Sequence, residues 1–163
     1  MNKVVELEIL GDPLGKQRPR VSMANGVVRT YTPQKTTNYE SLIAHEYMSK
    51  YGQRVFDINE PIKAIVVMHF GLNKGDYGKN GLNKNGREKI QNHYAPTKVD
   101  IDNCLKCVFD SLNSICYPDD KQIVCVVAHK VYTQDTPRVC IKLESLKQDE
   151  NREQNELLFW RER

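Results

Sequence analysis

Lys98-Val99-Asp100-Ile101-Asp102-Asn103 opens a stretch that continues through Lys106 and Asp110 to Tyr117-Pro118-Asp119-Asp120 and then enters the apolar residues Ile123 to Ala128. At about 100° per residue from Asp102 onward, Ile101, Cys104, Leu105, Val108, Leu112 and Ile115 share one apolar arc. Asp102, Asn103, Lys106, Asp110 and Asn113 share the opposite polar arc. The pattern predicts an amphipathic helix with acids at its start, followed by a strand. The i, i+4 spacing of Asp102 and Lys106 lets the ammonium reach the carboxylate.

Working outward, the chain reads as α+β. Val4 to Leu10 alternates as a strand, a loop containing Pro and Gly follows, and Gly26 to Tyr31 returns as a second strand. Thr36 to Tyr51 reads as a helix, and the β-branched run Lys63 to Phe70 as a strand. Asn73 to Pro96 reads as a long loop. After the acidic helix, Gln122 to Tyr132 and Arg138 to Glu144 form a hairpin turned by Gln134 to Pro137. At 163 residues and 39% hydrophobic content the chain suits one core. The expectation is a single small domain over residues 1–144, a mixed β-sheet packed by two main helices, with a charged tail over 145–163.

Carboxylates this close repel one another unless a cation holds them. Asp100, Asp102, Asp119 and Asp120 therefore read as a metal-binding group for phosphodiester chemistry, with Lys106 as the cation that meets the phosphate. Folding the chain back after the helix would bring Asp120 near Asp100. Each acid also has a structural reading. Asp100 can cap the helix, Asp102 and Lys106 can be an exposed pair of small worth, and Pro118-Asp119-Asp120 can be a turn.

These residues resemble the RusA-type Holliday junction resolvases. The resemblance rests on Asp100-Ile101-Asp102-Asn103 with Lys106, on Asp119-Asp120-Lys121-Gln122-Ile123-Val124, and on Gly11-Asp12-Pro13-Leu14-Gly15-Lys16-Gln17-Arg18-Pro19-Arg20 followed by Tyr31-Thr32-Pro33 and a helix with Tyr39. It spans about residues 3–143. It departs at Val99, where Pro is common, and in the length of 73–96. It implies a homodimeric Mg²⁺-dependent endonuclease, with Mn²⁺ as substitute, that nicks four-way DNA junctions symmetrically. Asp100, Asp102 and Asp120 would hold the metal, Asp119 would assist, and Lys106 would steady the reacting phosphate. Flaps or other branched DNA are an alternative substrate, and a non-catalytic DNA-binding module is a second alternative.

Net charge is +3, and the tail carries −1 of it, leaving +4 on the domain. Lys16, Arg18, Arg20 and Lys35 form one basic stretch, and Lys74, Lys79, Lys84, Arg87, Lys89 and Lys98 another. Such a rim restores attraction between an acidic site and the DNA backbone. The second stretch also reads as a solvated loop.

Other chemistries lack their residues. Gly11-x-x-x-Gly15-Lys16 is one residue short of a P-loop, with Gln17 in place of Ser or Thr. His45, His69, His93 and His129 have no zincin spacing, and no Gly-x-Ser-x-Gly elbow occurs. The five cysteines, without a secretory signal or an apolar run of roughly 18 residues, read as reduced thiols of a cytoplasmic protein. Cys104-x-x-Cys107 reads as packing, because a zinc site needs a second ligand pair. In the tail, Leu157-Leu158-Phe159-Trp160 reads as a terminal helix docked on its own domain or dimer mate. Gln154 to Trp160 otherwise resembles a sliding-clamp peptide.

Overall fold

The computed structural model describes residues 3–24 and 27–146. Its strands are β1 (Val4–Leu10), β2 (Arg20–Ala24), β3 (Val27–Tyr31), β4 (Ile62–Gly71), β5 (Tyr77–Gly78), β6 (Gly81–Leu82), β7 (Ile123–Thr133) and β8 (Arg138–Ser145). Its helices are α1 (Gln34–Tyr51), α2 (Lys84–Asn92) and α3 (Ile101–Leu112). The main sheet is mixed, in the order β1-β8-β4-β7. β8 is antiparallel to both β1 and β4, whereas β7 is parallel to β4. A parallel pair needs a long crossover, and α3 lies on that crossover.

Alternation divides the sheet into two faces. Val5, Leu7 and Ile9 of β1, Ile62, Ala64, Val66, Met68 and Phe70 of β4, and Val139, Ile141 and Leu143 of β8 are buried on one side. Ile43 and Tyr47 of α1 and Cys104, Val108 and Leu112 of α3 close that core. Burying each such aliphatic chain contributes about 1.5–3 kcal/mol, so this layer holds α3 in place. Gly52 ends α1 with φ 68°, a left-handed conformation that suits glycine, and its N–H bonds the Met48 carbonyl.

The α+β class and the mixed sheet agree with the sequence reading, and three local expectations change. The strands of the expected C-terminal hairpin are not neighbours, because β4 stands between β7 and β8. β4, whose alternate residues from Ile62 to Phe70 are all buried, has both its edges paired. The returning strand β3 pairs with β2, which lies where the sequence predicts loop, and the two form a separate hairpin. Residues 73–96 are no loop, since they contain a 3₁₀ turn (Lys74–Asp76), the β5-β6 hairpin and α2.

That insert folds around one carboxylate. Asp76, only 4% exposed, accepts the Asn73 N–H and takes the Lys89 ammonium at 2.7 and 2.9 Å. Asn83 caps α2 through the Gly86 N–H and donates to the Gly75 carbonyl. A Cβ on Gly86 would lie 2.3 Å from the Asp76 carbonyl oxygen, so only glycine permits this approach.

Candidate active site: two acidic groups at the ends of one helix

The start of α3 is built by three segments. Lys130 of β7 donates from Nζ to the carbonyls of Lys98 and Val99, fixing the chain just before Asp100. The Lys16 N–H bonds the Asn103 carbonyl at 2.9 Å. Gly15 lies so close that a Cβ there would meet Val99 Cγ1 at 2.4 Å and Asn103 Cβ at 3.2 Å. The loop Gly11 to Lys16 therefore braces the first turn of α3.

Asp100 occupies the N-cap position, and its carbonyl accepts the Cys104 N–H, but its side chain makes no capping bond. The carboxylate has only a long contact, 3.4 Å, from the Asn103 amide. Asp102, one residue into the helix, is exposed and has no ion-pair partner among the described residues. The expected Asp102–Lys106 pair is not formed, and Lys106 is exposed. The positive end of the helix dipole partly offsets the repulsion between the two acids. Lys130 and both acids lie near enough to Cys104 to act on its thiol, which burial pushes up to about 11. Cys107 is also buried, its thiol pushed up to about 12 mainly by burial. The buried stripe of α3 runs Cys104, Cys107, Val108, Ser111, Leu112, rotated from the predicted arc toward Cys107 and Ser111. Ile115 and Asn113 fall beyond the helix.

The other acids lie elsewhere. Asp119 caps the 3₁₀ turn Asp120–Gln122, and its carboxylate takes the Lys121 N–H and ammonium, both at 3.0 Å. Those bonds, the backbone one first, hold its carboxyl below the usual range. This turn sits at the start of β7, where the Gln122 side chain bonds the Asp57 and Glu60 carbonyls. Asp100 sits beside Lys130, seven residues along the same strand. At about 3.3 Å per residue that is about 23 Å, and α3 itself is about 18 Å long. Asp120 does not approach Asp100 within one chain, contrary to the sequence reading. Among the described residues no three His, Cys, Asp or Glu side chains converge on a cation position. Asp100 and Asp102 alone still suit Mg²⁺, which takes one or two carboxylates and keeps several waters.

The basic residues also sort themselves. Lys16 pairs with Asp110 and with Glu40, at 3.0 Å for the latter. Burial opposes its charge, but these carboxylates outweigh burial and raise its pKa. Lys89 is held by Asp76. Lys98 donates to Asn73 and lies 5.9 Å from the centre of the Tyr132 ring. Arg87 is exposed and bonds the Leu82 carbonyl, while exposed Lys84 stands 3.9 Å from Glu88. Arg18, Lys35, Lys74 and Lys79 are exposed. Arg20 starts β2, and its side chain lies outside the described residues, as does the whole segment Gln154 to Trp160. The sequence reading missed Lys130 and Asp76. A lysine inside an apolar strand was the one available signal for Lys130. No helix of the described residues is long and apolar enough to cross a membrane.

Comparison with known proteins places this arrangement in a class of DNA-cutting enzymes. The model of the family described as Endodeoxyribonuclease RusA matches residues 11–144, a span that contains α3 and every acid discussed above. The uncharacterized protein YqaN of Bacillus subtilis (strain 168) is 28% identical over 137 residues, covering 83% of this chain and 92% of YqaN. The chain belongs to the RusA endodeoxyribonuclease family.

Proposed function

We propose that this protein is a Mg²⁺-dependent endodeoxyribonuclease that resolves four-way DNA junctions by paired nicks, as a homodimer, in recombination and repair. The observation that carries the reading is the pair of carboxylates at the start of α3. Asp100 holds the N-cap position without capping, and among the described residues Asp102 has no ionic partner. Unpaired acids side by side cost stability, and they make sense as ligands. Mg²⁺, for which Mn²⁺ would substitute, would supply an activated water and offset charge on the phosphoryl oxygens. Asp100 and Asp102 would hold it. Lys106, one turn along, would meet the developing negative charge as a point charge. Lys98, Lys74 and Lys79 would bind flanking phosphates.

Asp120, with Asp119 assisting, belongs to this site only if it arrives from a second copy, since about 20 Å of strand separates it from Asp100 in its own chain. A two-fold dimer has two such sites, which is what two symmetric nicks require.

The test is incubation of purified protein with a labelled immobile four-way junction, a flap and a matched duplex, with Mg²⁺ or with EDTA. Paired symmetric nicks on the junction alone, abolished by EDTA, are expected. Equal cutting of the flap would make it a broader branch nuclease. Binding without cutting under any metal would reduce it to a binding module.

A further inference from the structure

The insert between β4 and α3 carries the charge of the whole molecule. Residues 73–94 hold five Lys and Arg against two Asp and Glu, a balance of +3, and the complete chain is also +3. Asp76 is turned inward to Lys89, while Lys74, Lys79, Lys84 and Arg87 are exposed. The same segment presents aromatic rings to solvent. Tyr94 is 60% and Tyr77 47% exposed, and among the described side chains no other Phe, Trp or Tyr is exposed. Tyr47, Tyr117 and Tyr132 are buried.

Both rings stand on fixed backbone. Tyr77 pairs with Leu82 across the β5-β6 hairpin, and its N–H bonds the Lys74 carbonyl. Tyr94 lies opposite Val131, and its neighbours bond β7 on both sides: the Tyr132 N–H donates to the His93 carbonyl and the Ala95 N–H to the Lys130 carbonyl. The Tyr94 ring stands between His93, edge-on at 5.7 Å, and His129, tilted by 31° at 6.2 Å. A ring already held in this way loses little freedom when a flat ligand covers it. Lys130, whose carbonyl holds Ala95, also fixes the backbone ahead of Asp100 through its ammonium. The chain from Tyr94 to Asp100 spans at most about 22 Å, so ring and acids lie within reach of one DNA strand.

Exposed tyrosines among exposed cations suit one ligand chemistry. Every nucleobase offers a π-face that stacks on an aromatic ring, and each base of a strand is accompanied by a phosphate for a nearby ammonium. A paired base inside a duplex is covered on both faces by its neighbours, so the ligand is an unpaired one. We propose that Tyr77 and Tyr94 are stacking platforms for unpaired bases, and that the insert is a single-strand-binding subsite beside Asp100 and Asp102. Lys74 and Lys79, which flank Tyr77 in the chain, hold the phosphates on either side of its base. The subsite takes a strand where pairing is interrupted, as at a branch point. That the strand is DNA rests on the nuclease reading above, whereas stacking rests on the rings and cations alone.

The test uses the full chain in EDTA, so that binding is read without cleavage. Fluorescence anisotropy compares a labelled oligo-dT strand with a duplex of the same length. Tyr77→Leu and Tyr94→Leu keep apolar bulk and remove the π-face, and each should weaken single-strand binding on the order of tenfold while duplex affinity stays within about twofold. Tyr77→Phe and Tyr94→Phe keep the face and should bind like wild type. Circular dichroism and the thermal transition report whether each variant is folded. Tyr94 stands opposite buried Val131, so Tyr77→Leu decides the question should Tyr94→Leu unfold. Equal losses on strand and duplex, no loss in either Leu variant, or Phe variants as weak as the Leu ones would each overturn the subsite. So would a Tyr94→Leu protein that sediments at a lower mass with single-strand binding intact, which would make the ring a contact between copies. Tyrosine-dependent strand binding without junction cleavage in Mg²⁺ would leave the subsite standing and sink the nuclease reading. Cleavage with strand binding indifferent to both tyrosines would do the reverse.

Discussion

Two acid–lysine pairs in this molecule behave in opposite ways. Asp102 and Lys106 stand one helical turn apart, in the spacing that favours an ion pair, and they do not join. Asp76 and Lys89 stand thirteen residues apart and are bonded at 2.7 Å, with Asp76 only 4% exposed. The second pair organises the insert between β4 and α3. The first leaves a carboxylate and an ammonium on one exposed face, each open to an outside group. Among the described residues, the pair that builds the insert is joined inside the chain, and the acid and lysine proposed for the chemistry at the start of α3 are not. The same contrast separates Lys16, held by Asp110 and Glu40, from exposed Lys74 and Lys79.

The strongest way to break this contrast is to remove one unpaired acid. Asp102→Asn should lower junction cleavage by at least on the order of 10³-fold, beyond the roughly 10- to 100-fold typical of a residue that only supports a ligand. Metal-free junction binding in a gel-shift assay should stay equal or become tighter, because a repulsive charge is gone. Lost binding would place Asp102 in the DNA interface instead. Lys106→Ala comes next, with a fall in cleavage on the order of 10²-fold. Its denaturation midpoint should imply a stability change within about 0.5 kcal/mol. A large destabilisation would mean that Lys106 has a structural partner after all.

How far the sequence discloses this depends on the range of the interactions. α3 is legible because its acids and its apolar residues obey one period, so position on the helix follows from spacing alone. β4 is legible from composition, as an apolar stretch built round the β-branched Ile65, Val66 and Val67. The partnership of β7 and β8 is not. A four-residue turn predicts a hairpin, and only the burial of the whole sheet places β4 between them. Asp76 and Lys89 carry no periodic signal, so the insert reads as solvated loop. Lys16 reads as a DNA contact because Asp110, its partner, is distant in the chain. The separation of Asp120 from Asp100 was within reach of arithmetic, since twelve helical residues already span about 18 Å.

A gentler break falls on the paired side of the contrast. Asp76→Ala leaves Lys89 without its carboxylate and should loosen residues 73–92, seen as faster amide exchange there while β4 and β8 stay protected. Junction affinity should fall about tenfold, as expected for one or two displaced phosphate contacts. The pair also makes the insert sensitive to pH at both extremes. The Lys89 hydrogen bond above all holds the Asp76 carboxyl below its ordinary value of 3.8. The native form therefore binds that proton less readily than the unfolded form. Its stabilisation is complete above about 3.8 and is lost as pH falls through the lowered native value. Asp76 likewise raises Lys89 above 10.5, so that contribution is complete below 10.5 and lost as pH climbs through the raised value. Amide exchange in the insert that ignored both extremes would deny the pair this role.

The smallest expected effect is the most discriminating for the basic residues. If exposed Lys74 and Lys79 meet phosphates, reversing either to Glu should weaken junction binding and flatten the plot of log affinity against log salt by about one unit per contact. Lys16→Met should not flatten it in that way, because that ammonium already faces Asp110 and Glu40 and releases no counterion when DNA binds. Cleavage chemistry under saturating DNA should be unchanged in the Lys74 and Lys79 variants, since neither touches the acids at the start of α3. An unchanged salt slope in both would remove the insert from the DNA interface and leave Lys98 and the Gly11 to Lys35 region to carry it.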